Sequence, residues 1–324
     1  MKQFQTKLTT ATLLLTCNLA ALAAETYPTR PLRMIVPFPP GGGTDIMARM
    51  VGQRLTDAFG VQVVVDNRGG AAGIIGTELA AKATPDGHTM MIGSVSTICI
   101  NASLHKKLPF DPEKDLAPVS LVASTPSLLV VSNMLAPKSV KELIALAKAK
   151  PGQLHFATPG SGSSAHLGGE LLKQAAGIDI QHVPYKGTGP AVTDVVSGQV
   201  AMIITNMPSV LPMVKANRLR ALAVTSLQRS ALLPDLPTVA ESGVPGFEVI
   251  VWYGVFAPAA VPRPILTRLN QELRKLSDMQ DVKDRLAVQG AEVMTSTPEE
   301  LAKRVRDDLA KWGKIVRASG ARVD

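Results

Sequence analysis

From residue 32 onward the chain alternates two hydrophobic rhythms. Short apolar runs rich in Val, Ile and Met recur at residues 32–38, 61–66, 88–93, 128–131, 154–157, 180–183, 200–205 and 221–224, and each reads as a strand. Between them lie segments with apolar residues every three or four positions. In 44–59, Met47, Val51, Leu55 and Phe59 follow at intervals of four and share one helical face. Residues 71–83 read as a helix of small residues, ended by the turn Thr84-Pro85-Asp86-Gly87. Ser139 and Glu142 have capping-box spacing, so a helix starts at Val140 and stops at Pro151-Gly152. Residues 164–176 and 191–197 supply two more helices. Strands alternating with helices predict α/β architecture with parallel sheets, here in two βα sets. After Val251-Trp252 the expectation is helical: first 264–276, then a helix opened by Thr297-Pro298-Glu299-Glu300. The buried face of that last helix is Leu301, Val305, Leu309, Trp312 and Val316. The proline- and glycine-containing stretches 123–126 and 243–246 are candidate crossovers between two lobes.

Composition narrows the classes. With 324 residues, 46% hydrophobic and 19% charged, the chain can build two cores and is too apolar for disorder. The net charge of +8 raises nucleic acid as a partner. The lysines and arginines form no run, however, and aromatics at 4% are too few for stacking platforms, so nucleic acid is excluded. Two cysteines exclude a disulfide scaffold and a cysteine-based zinc module. A short positive stretch, the apolar run 8–22 and the small-x-small pattern Ala21-Leu22-Ala23 read as a signal peptide over residues 1–23. The run is too short to anchor in a hydrocarbon core of roughly 30 Å. Leu14-Leu15-Thr16-Cys17 resembles a lipobox, but Thr16 is larger than the residue normally preferred before that cysteine. The expectation is a soluble periplasmic protein whose one remaining cysteine is Cys99.

Candidate chemistry gathers in four loops at carboxyl ends of strands, the edge where open α/β sheets bind ligands. The first runs from Phe38 through Pro39-Pro40 to Gly41, Gly42, Gly43, Thr44 and Asp45. Its glycines permit a tight turn, and the helix start adds free N–H groups and a positive dipole end, a cradle for a carboxylate or phosphate. No Gly-Lys-Ser/Thr follows, so it is not a Walker motif. The second holds Ser161, Gly162, Ser163 and Ser164, with His166 in the helix's first turn. Its hydroxyls are neutral donors. The third is Ser94, Ser96 and Thr97; the fourth is Thr205-Asn206. Each loop also fits an ordinary capped turn. Gly160-x-Gly162-x-x-Ala165 matches the dinucleotide fingerprint, with Asp179 the one acid near the expected distance. The histidines lack metal spacing, and neither a carboxylate pair nor a nucleophile with a base is found. The expectation is a non-enzyme with no cofactor and no metal.

Ordered motifs extend across the chain: Tyr27-Pro28-x-Arg30-Pro31, Val36-Pro37-Phe38-Pro39-x-Gly41-Gly42, Asp66-Asn67-Arg68-x-Gly70-Ala71 and Pro85-Asp86-Gly87. They continue with Gly160-x-Gly162-Ser163, His166-Leu167, residues 182–187 and 219–225, Leu233-Pro234-Asp235-x-Pro237-Thr238, and Thr297-Pro298-Glu299-Glu300. In these the chain resembles the Bug receptors, the extracytoplasmic solute-binding proteins of tripartite tricarboxylate transporters. The resemblance implies a type II periplasmic-binding-protein fold, two α/β lobes with a ligand cleft and hinge crossovers. Residues 24–125 plus 250–324 would form lobe I and 126–249 lobe II. It implies a receptor that takes a small organic acid, a di- or tricarboxylate or an aromatic acid, through the four loops; a monomer is the separate expectation. Membrane transporter subunits would receive the acid. A ligand-sensing receptor without its own transporter and a dinucleotide-dependent enzyme are the alternatives. Two departures matter. Members often carry Ala before Gly-Gly, whereas here Pro40 precedes a third glycine. Many carry Asp where this chain has Asn206, which donates as well as accepts, so a carboxylate without an amino group is expected.

Overall fold

The first apolar run forms β1 (Leu32–Val36), flanked by the parallel strands β2 (Val63–Asn67) and β3 (Thr89–Ser94). The structure, a computed structural model, describes residues 27–105, 107–288 and 290–319, so the expected signal peptide and Cys17 lie outside the described residues. Between β1 and β2 runs α1 (Gly43–Phe59), which buries Met47, Val51 and Leu55 and ends on a left-handed Gly60. The helix expected over 71–83 divides into a 3₁₀ turn (Ala71–Gly73) and α2 (Ile74–Ala81), because Gly73 takes φ 93° between them. The loop after β3 is helical: a π-helical turn (Ser96–Ile100) leads into α3 (Asn101–Leu104). It carries Cys99, a buried free thiol.

The largest departure from the sequence pattern is β4 (Leu116–Ser132), a 17-residue strand where only 128–131 is expected. Its prolines read as breaks, yet both sit where the ladder tolerates them. Pro118 borders a register shift, and Pro126 stands where the strand changes partner. From Leu116 to Pro126, β4 pairs with β9 (Ile250–Pro258). From Ser127 onward it pairs with β7 (Met202–Asn206), and from Leu128 with β8 (Leu219–Val224). The stretch 123–126 is therefore strand and not a loop. Thr225 fastens the handover: its hydroxyl accepts from the Ser127 N–H at 2.8 Å and contacts the carbonyls of Ser127 and Val249 at 3.0 and 2.6 Å. The chain does not turn helical after Trp252 either, because β9 runs on to Pro258 with both faces buried.

The second βα set comprises α4 (Val140–Ala149), β5 (Leu154–Thr158), α5 (Ser164–Ala176), β6 (Ile180–Pro184), α6 (Thr188–Val196), β7, α7 (Met207–Lys215) and β8. Strand β5 is parallel to β6 and β7. The chain closes with α8 (Arg263–Arg274), α9 (Gln280–Val288), β10 (Glu292–Val293) against β4, and α10 (Pro298–Ser319). In α10 Leu301, Val305, Trp312 and Val316 are buried and Leu309 is half-buried. Its start is a complete capping box, Glu300 N–H to Thr297 Oγ1 at 3.2 Å and Thr297 N–H to Glu300 Oε2 at 2.8 Å. The sheet order is β2-β1-β3-β9-β4-β7-β5-β6, so α1 and α5 start from opposite sides of the crossing strands β9 and β4. Among the described residues no helix is long and apolar enough to cross a membrane.

Candidate functional site

The loop from β1 to α1 is held by Asp45. Its carboxylate accepts from the Gly41 N–H at 3.1 Å, Arg49 Nε at 3.0 Å and Asn67 Nδ2 at 3.0 Å. Burial pushes this carboxyl up, but the bonds from Arg49, Gly41 and Asn67 outweigh it and hold it below the usual range. Gly41 turns the chain at φ 88°. Gly42 is the N-cap of α1, and no side chain caps that helix. The first-turn N–H groups of α1 therefore have neither an intrahelical partner nor a cap. Gly43 is bare for a steric reason: a Cβ there would stand 2.7 Å from Asn206 Oδ1 and overlap the Tyr253 hydroxyl.

The start of α5 is built differently. Ser163 is its N-cap, accepting from the His166 N–H at 3.2 Å and donating to the Gly160 carbonyl at 2.8 Å. The Ser164 N–H reaches across to Ser96 Oγ at 2.8 Å. His166 Nδ1 accepts from the Gly162 N–H at 3.2 Å, and its ring stacks on His182 at a centroid distance of 4.1 Å. His182 bonds Thr158 Oγ1 at 2.7 Å and stacks on Phe156. Burial, then the neighbouring His182, pushes His166 down to about 3; burial, then Lys173, pushes His182 down to about 4. Both rings are neutral at pH 7, and the loop is anchored by a histidine acting as acceptor.

In the third loop Thr97 Oγ1 accepts from the Ser94 N–H at 3.0 Å, a buried local cap. In the fourth, Asn206 caps α7, its Oδ1 accepting from the N–H and Oγ of Ser209 at 3.3 and 2.7 Å.

These elements enclose a cavity of about 40 Å³. One side is Phe38, Gly42, Gly43 and Thr44 with Ser94 and Ser96; the other is Ser163, Ser164 and Asn206. Gly41, Asp45, Thr97, Gly162 and His166 stand outside the lining and support it from behind. Ser161 opens onto a neighbouring space of about 920 Å³, which shares Phe38, Pro39 and Pro159 with the first. Thr205 of the fourth loop also lines the smaller cavity, as do Thr188, Val251 and Tyr253, which sequence reasoning did not place there. Thr188 follows a strand–helix junction like the others and was findable on that ground. Tyr253 lies inside an apolar run, where nothing in the sequence separates a cavity-facing ring from a core ring. Among the described residues no charged side chain lines this cavity, and no cluster of His, Cys, Asp or Glu could hold a metal ion. A groove of about 670 Å³ beside Arg220 lies apart from these helix starts, and its guanidinium is engaged by the carbonyls of Leu135 and Pro137.

Two α/β lobes joined by crossing strands, with helix starts converging on an uncharged cavity, define a solute-binding protein of the type II periplasmic-binding-protein fold. The chain belongs to the tripartite tricarboxylate transporter family receptors (TctC), whose pattern matches residues 47–321. It is 42% identical over 305 residues to BugT of Bordetella pertussis strain Tohama I, covering 94% of each chain. Among solved structures, Rpa4515 of R. palustris with adipate aligns at a TM-score of 0.90 and 36% identity, covering 92% of this chain and all of that one. MatC (Rpa3494) from Rhodopseudomonas palustris with bound malate aligns at 0.85 and 32% identity, covering 90% and 100%. The family is one of transporter receptors, so the dinucleotide-dependent alternative falls away.

Proposed function

We propose that the protein captures a small organic carboxylate between the starts of α1 and α5 and delivers it to the membrane subunits of a tripartite tricarboxylate-type transporter. The observation that carries this is the uncapped start of α1 facing a cavity without a charged side chain. Each helix start carries roughly half a positive charge, and that of α1 adds unpaired N–H groups, which suit an anion; at α5 the Ser164 and His166 N–H groups are already bonded. The hydroxyls of Thr44, Ser94, Ser96 and Thr205 add neutral donors. The adipate and malate found in relatives support a carboxylate. Four or five hydrogen bonds to a charged group, roughly 1.5–3 kcal/mol each and less the costs of association, correspond to about micromolar affinity.

A cavity of about 40 Å³ has room for about three waters at the roughly 10–15 Å³ each needs, which supports entry of an acid by parting of the walls. Residues 24–125 plus 250–324 form one moving lobe and 126–249 the other, hinged where β4 and β9 cross. Ligand touches both walls only when they close, and so favours the closed population. Residues 1–23 are the signal peptide that exports the receptor, and it acts as a monomer.

The ligand carries no amino group. Asn206 Oδ1 is already engaged by Ser209, which leaves the Asn206 amide as a donor and gives a ligand ammonium no free carboxylate. A thermal-shift screen of adipate, malate, benzoate, glutamate and aspartate tests this. The largest stabilisation is expected with a non-amino acid. A shift with glutamate or aspartate alone overturns the ligand class, and no shift with any organic acid overturns the function.

A further inference from the structure

Tyr253 lies in β9, opposite Ser94 of β3 and Ala123 of β4, and is 1% exposed. Its hydroxyl is buried and has no hydrogen-bond partner among the described residues. Tyr253 lines the cavity, and its oxygen occupies the space a Cβ on Gly43, the first residue of α1, would take. A phenylalanine would fill the same apolar space without burying an unpaired polar atom, which costs stability unless something bonds it. Burial also raises the phenol far above its ordinary range, so it stays a neutral O–H donor. On the same side of Gly43 stands Asn206 Oδ1, already taken by the N–H and hydroxyl of Ser209.

We infer that Tyr253 is a specificity-determining ligand residue: its O–H is a neutral donor that reads one oxygen of the bound carboxylate. This role rests on the carboxylate function proposed above. The phenol stands at the start of α1, so its O–H and the first-turn backbone N–H groups meet where the nearby Asn206 Oδ1 is already spent on Ser209. Such a spot takes an anionic oxygen and gives an ammonium nothing to bond.

Tyr253→Phe removes one oxygen and leaves the ring packing intact. The test is calorimetric titration of the full exported protein with adipate, malate and benzoate, for the unaltered chain, Tyr253→Phe and Gly43→Ala. Tyr253→Phe is expected to weaken the tightest of these acids about ten- to a hundred-fold. Its ligand-free melting temperature is expected to equal or exceed that of the unaltered protein, because an unpaired buried hydroxyl has been removed. Gly43→Ala fills the cavity beside Tyr253 and is expected to abolish binding. Equal affinity in Tyr253→Phe with loss in Gly43→Ala overturns the role of the phenol and leaves the carboxylate site standing. A Tyr253→Phe chain that binds weakly and also melts several degrees lower assigns the hydroxyl to structure and overturns the inference. Unchanged affinity in both variants, or no binding of any probe by the unaltered chain, overturns the site and the inference together.

Discussion

The N–H of Ser164 donates to Ser96 Oγ at 2.8 Å, tying the first turn of α5 to the turn after β3 across 68 residues of sequence. The two walls of the cavity therefore touch directly, through one donor that an α-helix cannot satisfy for itself. Removing the acceptor removes a latch between the walls while leaving both helices intact. Ser96→Ala is expected to weaken carboxylate binding two- to tenfold, the equivalent of about 0.5–1.5 kcal/mol, with little change in melting temperature. Titration calorimetry and small-angle scattering check this. The variant should show a larger radius of gyration than the unaltered protein at sub-saturating acid.

The serines at the start of α5 divide their work. Ser163 spends its hydroxyl on Gly160 and His166, whereas Ser164 brings its hydroxyl to the cavity wall. Loss of an N-cap costs about 1 kcal/mol. Ser163→Ala is therefore expected to lower the melting temperature of the ligand-free protein by about 2–4 °C. Ser164→Ala is expected to leave it unchanged and to weaken ligand binding. Scanning calorimetry of the two single variants separates these effects.

Acid should destabilise the fold through the stacked histidines. His166 and His182 are held neutral, at about 3 and about 4, while in the unfolded chain each titrates near 6.5. Between pH 6.5 and about 4 the unfolded state binds protons that the native state refuses. Stability is thus complete above pH 6.5 and declines as pH falls, by at most about 1.4 kcal/mol per pH unit for each fully buried histidine. His182 is half-buried and contributes less. Denaturant unfolding at pH 7.5, 6 and 5 should show the decline, and His182→Gln should make it shallower. Equal stability at all three values would contradict the acceptor role of His166 at Gly162.

Thr225 sits where β4 leaves β9 for β7 and β8, and bonds Ser127 and Val249 at once. Thr225→Val keeps the shape and leaves a buried N–H and two carbonyls without that hydroxyl. The expected cost is about 1–3 kcal/mol, read as a shift in the denaturant midpoint at constant slope.

Much of this architecture is legible in the sequence. The βα alternation gives α1, α4 and α5 with β1 and β5, because each apolar run is bounded by turn residues and serines cap α4 and α5. What is not legible depends on pairing. Pro118 and Pro126 look like breaks in β4 until β9 is seen to end its pairing at Pro126 and β7 to begin at Ser127. Likewise β9 reads as the prelude to a helix until its two buried faces are known. At the site, loop positions at strand ends are visible, but side-chain direction is not. Asp45 sits in the first loop and anchors it from behind, while Tyr253, in mid-strand, reaches the cavity.

We propose that neutral donors at two helix starts hold the acid. A crystal structure with the acid that gives the largest thermal shift tests it most directly. Such a structure is expected to show one carboxylate within hydrogen-bond distance of the first-turn N–H groups of α1 and of the Ser164 hydroxyl or Ala165 N–H at the start of α5, with no lysine or arginine in contact. A carboxylate bound instead beside Arg220, or paired with Lys186 in the larger neighbouring space, would contradict it.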